Sequence, residues 1–454
     1  MTVHKLSAGD GYSYLTSQVA SADQRRDTGQ GLTDYYQASG NPPGRWLGSG
    51  AANLGVDGEV AEAQMKALFG AGLHPDADRM IAHAVEAGIN PRHARALARL
   101  GRRYPEFTTL PDRESRIAAR LAELAGEPTT AEVSRIRNEE AAKERQPVAG
   151  YDLVFTPVKS ASVLWALGGE RIRTAVEAAH HEALAQTVDF LEEHAAFTRL
   201  GAGGVEQVDT HGLICAAFDH RDSRAGDPDL HTHLVVANKV RARRDHADGT
   251  ARWVSLDGRA LFAVGVAASE RYNTRFEDAL ARRLRVTFSE RADSGKNRRP
   301  VREIDGVPPE LITHFATRRA AIEDRYTELL AAYRGEHHRE PSASTQLRLA
   351  QQATLETRDA KAPARSLAEM QAQWRTAAAR LLGPVRAAAV PAAATGRAVR
   401  VLDTEQVDVD VLARAVLAVL PEHRATWTRW NVLAEVERQT RALRFASPTE
   451  RNRV

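Results

Sequence analysis

Cysteine is almost missing from this chain of 454 residues: Cys215, in the apolar run LICAAF, is the only one. No disulfide can form within the chain, and a cage of thiolates around a metal is excluded, so any metal must be held by imidazole and oxygen. Long apolar runs are missing as well. None approaches the roughly 20 residues of a membrane span, and the N-terminus MTVHKLSAGDGYSYL lacks the charged-then-apolar order of a signal peptide. Nor is there an excess of one charge: 62 Lys and Arg face 59 Asp and Glu, a net charge of +3, too little by itself to imply nucleic acid. The 43% of hydrophobic residues is enough for a sizeable core, and at roughly 150 residues per domain the length allows two or three domains. No internal repeat is evident.

What is present is unevenly placed. Basic residues cluster in RARR (241–244), RYNTRFEDALARRLR (271–285) and GKNRRPVR (295–302), patches that suit a phosphate backbone as well as plain solvent. Residues 61–145 read as helices of alternating alanine and charge, broken by Pro or Gly. YDLVFTPV (151–158) is short, β-branched and aromatic, a strand stopped at Pro157 and Lys159. Helices follow from about Ser160 and over 170–197. GLICAAFDH and LHTHLVVANKV are two further strand-like runs separated by RDSRAGDPD, and 260–385 returns to helical spacing. GPVRAAAVPAAATGRAV (383–399) suits a linker, with residues 400–454 beginning a new unit.

In LHTHLVVANKV, side chains two apart share a face of the strand, so His231 and His233 project together and Leu230, Thr232 and Leu234 project to the other side. Antiparallel pairing of the two runs across residues 221–229 places His220 near His231. Three imidazoles with no thiolate suit a borderline divalent cation with positions left open for water or phosphate oxygen. Asp219, Asp227 and Asp229 flank these histidines and are candidates to accept the other ring N–H. Four of the nine tyrosines fall in the first 36 residues, Tyr12, Tyr14, Tyr35 and Tyr36. A phenol becomes a useful nucleophile when a base takes its proton or a metal stabilises the charge developing on an attacked phosphate. Asp152 alternates against Tyr151, Leu153 and Phe155 and so points away from their apolar face, which makes it the candidate base. Trp46 is a candidate stacking platform for a base, and Lys159, Arg271, Arg275, Arg282 and Arg283 are candidate contacts to a nucleic-acid backbone. Each of these has a plain alternative as a packed or solvated side chain.

Taken together, GYSYL, DYY, PPGRWLGSGAANLG, GYDLVFTPVKSASVLWAL, AAFDHRDSRAGDPDLHTHLVVANKV and WVSLDGRALF resemble the relaxase domain of the MobF family of conjugative relaxases, the TrwC/TraI type within the HUH endonuclease class. The resemblance covers about residues 5–330. It implies an α+β fold: a central antiparallel β-sheet carrying a three-histidine metal site, flanked by helices as a palm, with a helical C-terminal part. It implies a relaxase domain over 1–330, a helical extension and linker over 331–399, and over 400–454 the start of a segment that leads into a helicase. The activity implied is metal-dependent, site- and strand-specific nicking of single-stranded DNA at an origin of transfer. A tyrosine would keep the 5′-phosphate, free the 3′-OH and later rejoin the strand, initiating conjugative transfer of a plasmid or integrative element.

By that resemblance His220, His231 and His233 fall on the metal ligands, with Mg2+ or Mn2+ as the expected ion and Zn2+ as a further candidate. Asp152 falls on the acidic residue that assists the nucleophile, and Tyr35 and Tyr36 on the second tyrosine pair. The first pair departs from the family pattern because Ser13 separates Tyr12 from Tyr14; either can be the nucleophile, with Tyr14 placed first. The implied partners are origin-of-transfer DNA, single-stranded or as a hairpin, and accessory relaxosome and coupling proteins. The expected state is a monomer in the bacterial cytoplasm without membrane insertion. Other functions share parts of the pattern: a rolling-circle replication initiator, a non-catalytic DNA-binding module, and a metal phosphodiesterase that uses water. Longer family members continue into a helicase with a G-x-x-x-x-G-K-[ST] loop. That loop does not occur here, so no ATPase activity is expected of this chain. The run ATWTRWNVLAEVERQTRALRFASP (425–448) resembles the segment before the helicase core, so the chain is expected to be cut short near that boundary.

Overall fold

The computed structural model describes residues 1–16, 40–106, 112–124, 128, 130–143, 146–291, 301–357, 365–423 and 425–454. Among them, strands β1 (Thr2–Ser7), β2 (Gly44–Leu47), β3 (Glu59–Val60), β4 (Val148–Phe155), β5 (Cys215–Asp222) and β6 (Pro228–Ala237) form one antiparallel sheet in the order β1-β4-β6-β5-β2-β3. This is the α+β architecture the resemblance implies. The central strands are apolar on both faces because the sheet is covered on both. Leu153, Phe155, Ala217, Leu234 and Val236 enter the larger core, and Leu6, Trp46, Ala216, Phe218 and Val235 enter a second core on the opposite face.

A short helix, α1 (Ser13–Thr16), follows β1. Helices α2 (Lys159–Leu167), α3 (Glu170–Ala195) and α4 (Gly258–Leu284) cover the larger core. Residues Val176, His180, Leu184, Thr187 and Leu191 recur at helical spacing on α3 and are all enclosed. Two polar side chains, His180 and Thr187, therefore lie within an otherwise apolar stripe. Helices α5 (Thr317–His337) and α6 (Ala343–Glu356) form a hairpin beside the sheet's hairpin loop, and Thr317 donates to Asp227 through both its backbone N–H and its hydroxyl, each at 3.1 Å.

Two expectations about the C-terminal part are corrected. Residues 383–399 are not an open linker: α7 (Leu367–Leu382) leads directly into α8 (Pro384–Ala394), and Ala387, Val390 and Ala394 are buried in the larger core. Those three positions lie on one helical face, and Pro384 at the first position of the helix lacks only an N–H that would be unpaired anyway. Residues 400–454 do not stand apart either. Helix α9 (Arg429–Thr440) places Ala434 in the same core. The helical turn α10 (Pro448–Arg451) carries Arg451 into α4, with Nη2 2.7 Å from Asp278 Oδ1, and Arg444 Nη2 lies 2.6 Å from Glu277 Oε2.

Arg451 and Asp278 each keep only 3% side-chain exposure. Removing one partner of such a buried pair leaves a poorly compensated charge and costs about 3–5 kcal/mol. Arg451→Ala is expected to lower urea-unfolding stability by that amount, and a loss within the range of a surface substitution would contradict the packing of α10 against α4. No helix among the described residues is long and apolar enough to cross a membrane.

Candidate active site

The site is built on the β5–β6 hairpin. His220 and His231 are direct cross-strand partners, and His233 pairs with Phe218 two steps along. The connecting turn is closed by Ser223 N–H donating to Asp227 O at 2.9 Å and by Gly226 N–H donating to Ser223 O at 2.9 Å. Gly226 has φ +80°, in the left-handed region that favours glycine. The three imidazoles meet on one face with ring centroids 4.8 to 5.3 Å apart, and one nitrogen from each lies within 4.8 Å of the others.

The tautomers follow from the partners. His231 Nδ1 is 2.7 Å from the Asp229 carbonyl oxygen and His233 Nδ1 is 2.8 Å from Asp152 Oδ2. Both acceptors require a proton on Nδ1, which leaves Nε2 with its lone pair. Burial pushes His231 below its ordinary pKa, against the opposing pull of Asp229, and so favours the neutral form a ligand needs. The donor set fits a borderline divalent cation without a thiolate.

Of the three aspartates expected to support these rings, Asp229 does so through its backbone oxygen. Asp227 is instead bound to Thr317. Asp219 faces the opposite side of the sheet, where it accepts from Arg45 Nη1 at 2.5 Å and from His181 Nε2 at 2.7 Å. Burial opposes its charge, but the His181 hydrogen bond and the Arg45 guanidinium outweigh that and hold its carboxyl well below the usual carboxylate range.

Asp152 projects from β4 on the histidine face, since Val154 is the residue paired with His233 and Asp152 is one alternation away. It is buried and links two groups: its Oδ2 accepts from His233 Nδ1 and, at 2.5 Å, from the hydroxyl of Tyr14. The local fold of GYSYL decides which tyrosine reaches it. Leu15 is fully enclosed and Tyr12 is 5% exposed, both in the second core beside Leu6, Met65 and Phe69, while Tyr14 turns outward at 38% exposure. Burial pushes the Tyr12 phenol up, and the carboxylates of Glu62 and Asp10 push it further. Tyr14 meets His233 edge-on with ring centroids 5.8 Å apart. Tyr35 and Tyr36 lie outside the described residues.

These groups open into a cleft of about 600 Å³ that also receives His4 and Lys5 of β1 and Arg224, Arg318 and Arg365 from the chain around the hairpin. The sequence reading missed β1 and its His4, which pairs across the strands with Asp152. The available signal was the alternation in TVHKLS, muted because a strand facing a polar cleft carries few apolar residues.

The residues expected to contact nucleic acid have partners within the chain. Trp46 is 6% exposed, packed in the second core with Nε1 donating to Gln64 Oε1 at 3.2 Å. Arg271 donates to Glu437 at 3.2 Å, and Arg275, buried, donates to Asn452 at 2.7 Å. Burial lowers the Arg275 guanidinium to about 10. Lys159 is near the cleft, but its Nζ donates to Pro228 O and Asp229 Oδ1, both at 2.9 Å, and so anchors the start of β6. Arg282 and Arg283 both pair with Glu182.

A palm of antiparallel strands with three histidines on two neighbouring members is the arrangement of a relaxase-type fold. The TrwC relaxase family model matches residues 8–381, and the chain belongs to that family. It is 31% identical over 311 residues to the multifunctional conjugation protein TraI of Escherichia coli, an alignment that covers 65% of this chain and 17% of that protein. To TraI of Escherichia coli strain K12 it is 37% identical over 111 residues, covering 24% of this chain and 6% of the relative. The chain thus spans a small fraction of the curated relatives it matches. Among solved structures, conjugative relaxase TrwC in a copper-bound complex with oriT DNA superposes with a TM-score of 0.51 at 20% identity, covering 84% of this chain and 98% of that one.

Proposed function

We propose that this chain is a metal-dependent relaxase domain that nicks single-stranded DNA at an origin of transfer, with Tyr14 as nucleophile, Asp152 as its base and His220, His231 and His233 as the metal ligands. The observation that carries this reading is the connected line from the Tyr14 hydroxyl through the Asp152 carboxylate to His233. Family membership supports the class of reaction, and the likeness to TraI conjugation proteins supports DNA of a transferred element as substrate. Origin-of-transfer DNA, accessory relaxosome and coupling proteins, and a monomeric cytoplasmic state complete the proposal.

In the proposed reaction Tyr14 gives its proton to Asp152 and its oxygen bonds to phosphorus. The bond from phosphorus to the 3′ oxygen breaks, and that oxygen takes a proton from solvent. The 5′-phosphate remains esterified to Tyr14, which conserves the energy of the cut phosphodiester and lets a 3′-OH reverse the step without ATP. A divalent cation held by the three imidazoles would supply charge that offsets the negative charge building on the phosphate oxygens. Asp152 orients both partners at once, because the carboxylate that receives the phenol proton also fixes the His233 ring.

The test uses a single-stranded oligonucleotide from the element's own origin region, with covalent product read on a denaturing gel. Asp152→Asn is expected to slow nicking by about 10²–10⁴-fold, the usual range for a positioned general base. The same change should move the pH optimum upward, toward the unperturbed phenol pKa of about 10. A rate and pH profile equal to the parent's would leave Asp152 with no part in proton transfer.

A further inference from the structure

Behind the sheet, on the face away from the cleft, a polar line runs through the larger core. Thr232, between His231 and His233, is fully buried and is the direct cross-strand partner of Asp219, the residue before His220. The Thr232 hydroxyl donates to Asp219 Oδ1. It also lies 2.6 Å from His180 Nε2, and His180 Nδ1 lies 2.5 Å from the hydroxyl of Tyr272 on α4.

The direction of every bond is determined. Asp219, facing Arg45 and His181, can only accept. Thr232 has one O–H and gives it to Asp219, so its lone pair takes the N–H of His180 Nε2. Burial pushes His180 down to about 3 and Tyr272 well up, so the imidazole carries one proton and the phenol keeps its own. The Tyr272 O–H therefore donates to Nδ1, and all three donors point toward Asp219.

This line answers a question of register. Strands β5 and β6 carry apolar residues on both faces, Cys215, Ala216 and Ala217 against Val236, Val235 and Leu234, so the apolar pattern specifies their pairing only weakly, and a slip of one residue would turn every side chain to the other face. We propose that the Tyr272–His180–Thr232–Asp219 line is a positioning device for the three-histidine site, with Thr232 and Asp219 as positioning residues that hold His220 opposite His231. It rests on the reading of the histidines as metal ligands.

The test measures metal affinity of the full chain without DNA, by Mn2+ titration and by the visible absorption of bound Co2+. Thr232→Val keeps the shape and removes the hydroxyl; it is expected to weaken Mn2+ binding about tenfold, the low end of what loss of an outer partner of a metal site costs, and to change the Co2+ bands. Thr232→Ser, which keeps the hydroxyl, should restore both. A Thr232→Val protein that melts earlier yet binds Mn2+ and shows the Co2+ spectrum of the parent would overturn the proposal, since a merely structural contact behaves that way. Should Thr232→Val fail to fold, Tyr272→Phe decides, with a smaller weakening in the same direction expected and unchanged affinity overturning it. A parent protein that binds neither ion would overturn the metal reading itself, and this inference with it.

Discussion

Tyr14→Phe is expected to abolish the covalent protein–DNA product, whereas Tyr12→Phe leaves it in place. Both tyrosines stand in GYSYL, but only the Tyr14 hydroxyl reaches Asp152, at 2.5 Å, and only Tyr14 is open to a strand in the cleft. Phenylalanine at position 14 preserves the edge-on contact with His233 and removes the oxygen proposed to attack phosphorus. The Tyr12 ring is committed to the second core, where burial raises its phenol and makes deprotonation harder. A DNA strand labelled at its 3′ end reports the outcome, because in the proposed reaction the downstream fragment is the one that stays on the protein. Adduct at the parental rate in Tyr14→Phe would move the attack to another tyrosine, and cleavage without adduct would point to water as nucleophile.

The second large effect concerns the ligands. His231→Ala is expected to weaken metal binding by more than the roughly 10–100-fold that loss of an outer partner costs, because one of three donors is gone, and to reduce nicking to background. Affinity for single-stranded DNA should change little, since contacts to the phosphate backbone supply most of it. His231 is the cleaner choice than His233, whose Nδ1 also holds Asp152, so that His233→Ala disturbs metal and base together. Fluorescence anisotropy on the DNA and Mn2+ titration separate the two losses. Undiminished, still metal-dependent cleavage in His231→Ala would remove the three-histidine assignment.

Much of this site was legible in the sequence because a strand has a period of two. LHTHL puts His231 and His233 on one face whatever surrounds it, and the short connection after His220 can only return the chain beside its start. The face on which Asp152 lies was legible by the same alternation in YDLVF. Which of Tyr12 and Tyr14 reaches Asp152 was not, because it depends on which ring finds room beside Met65 and Phe69, residues fifty positions further along the chain.

The surroundings of Trp46 and Arg275 were not legible for a related reason: a large aromatic or a cation in a basic run looks exposed until its hydrogen-bond partner, Gln64 or Asn452, and the packing around it are known. The Ala-rich run before residue 399 misled through composition, since alanine and proline suit a linker, yet Ala387, Val390 and Ala394 supply one helical face small enough to pack closely. The polar line behind the sheet had no local signal at all, being assembled from α3, α4 and two strands.

The central claim is that a phenol oxygen on α1 becomes esterified to DNA. Peptide mapping by mass spectrometry tests it most directly: the full chain is incubated with metal and the origin-region oligonucleotide, digested with nuclease and protease, and searched for a tyrosine carrying a nucleotide 5′-phosphate. The expected result is that modification on the peptide containing Tyr14 and no other. A nucleotide on a different residue, or complete cleavage of the oligonucleotide with every tyrosine unmodified, would contradict it.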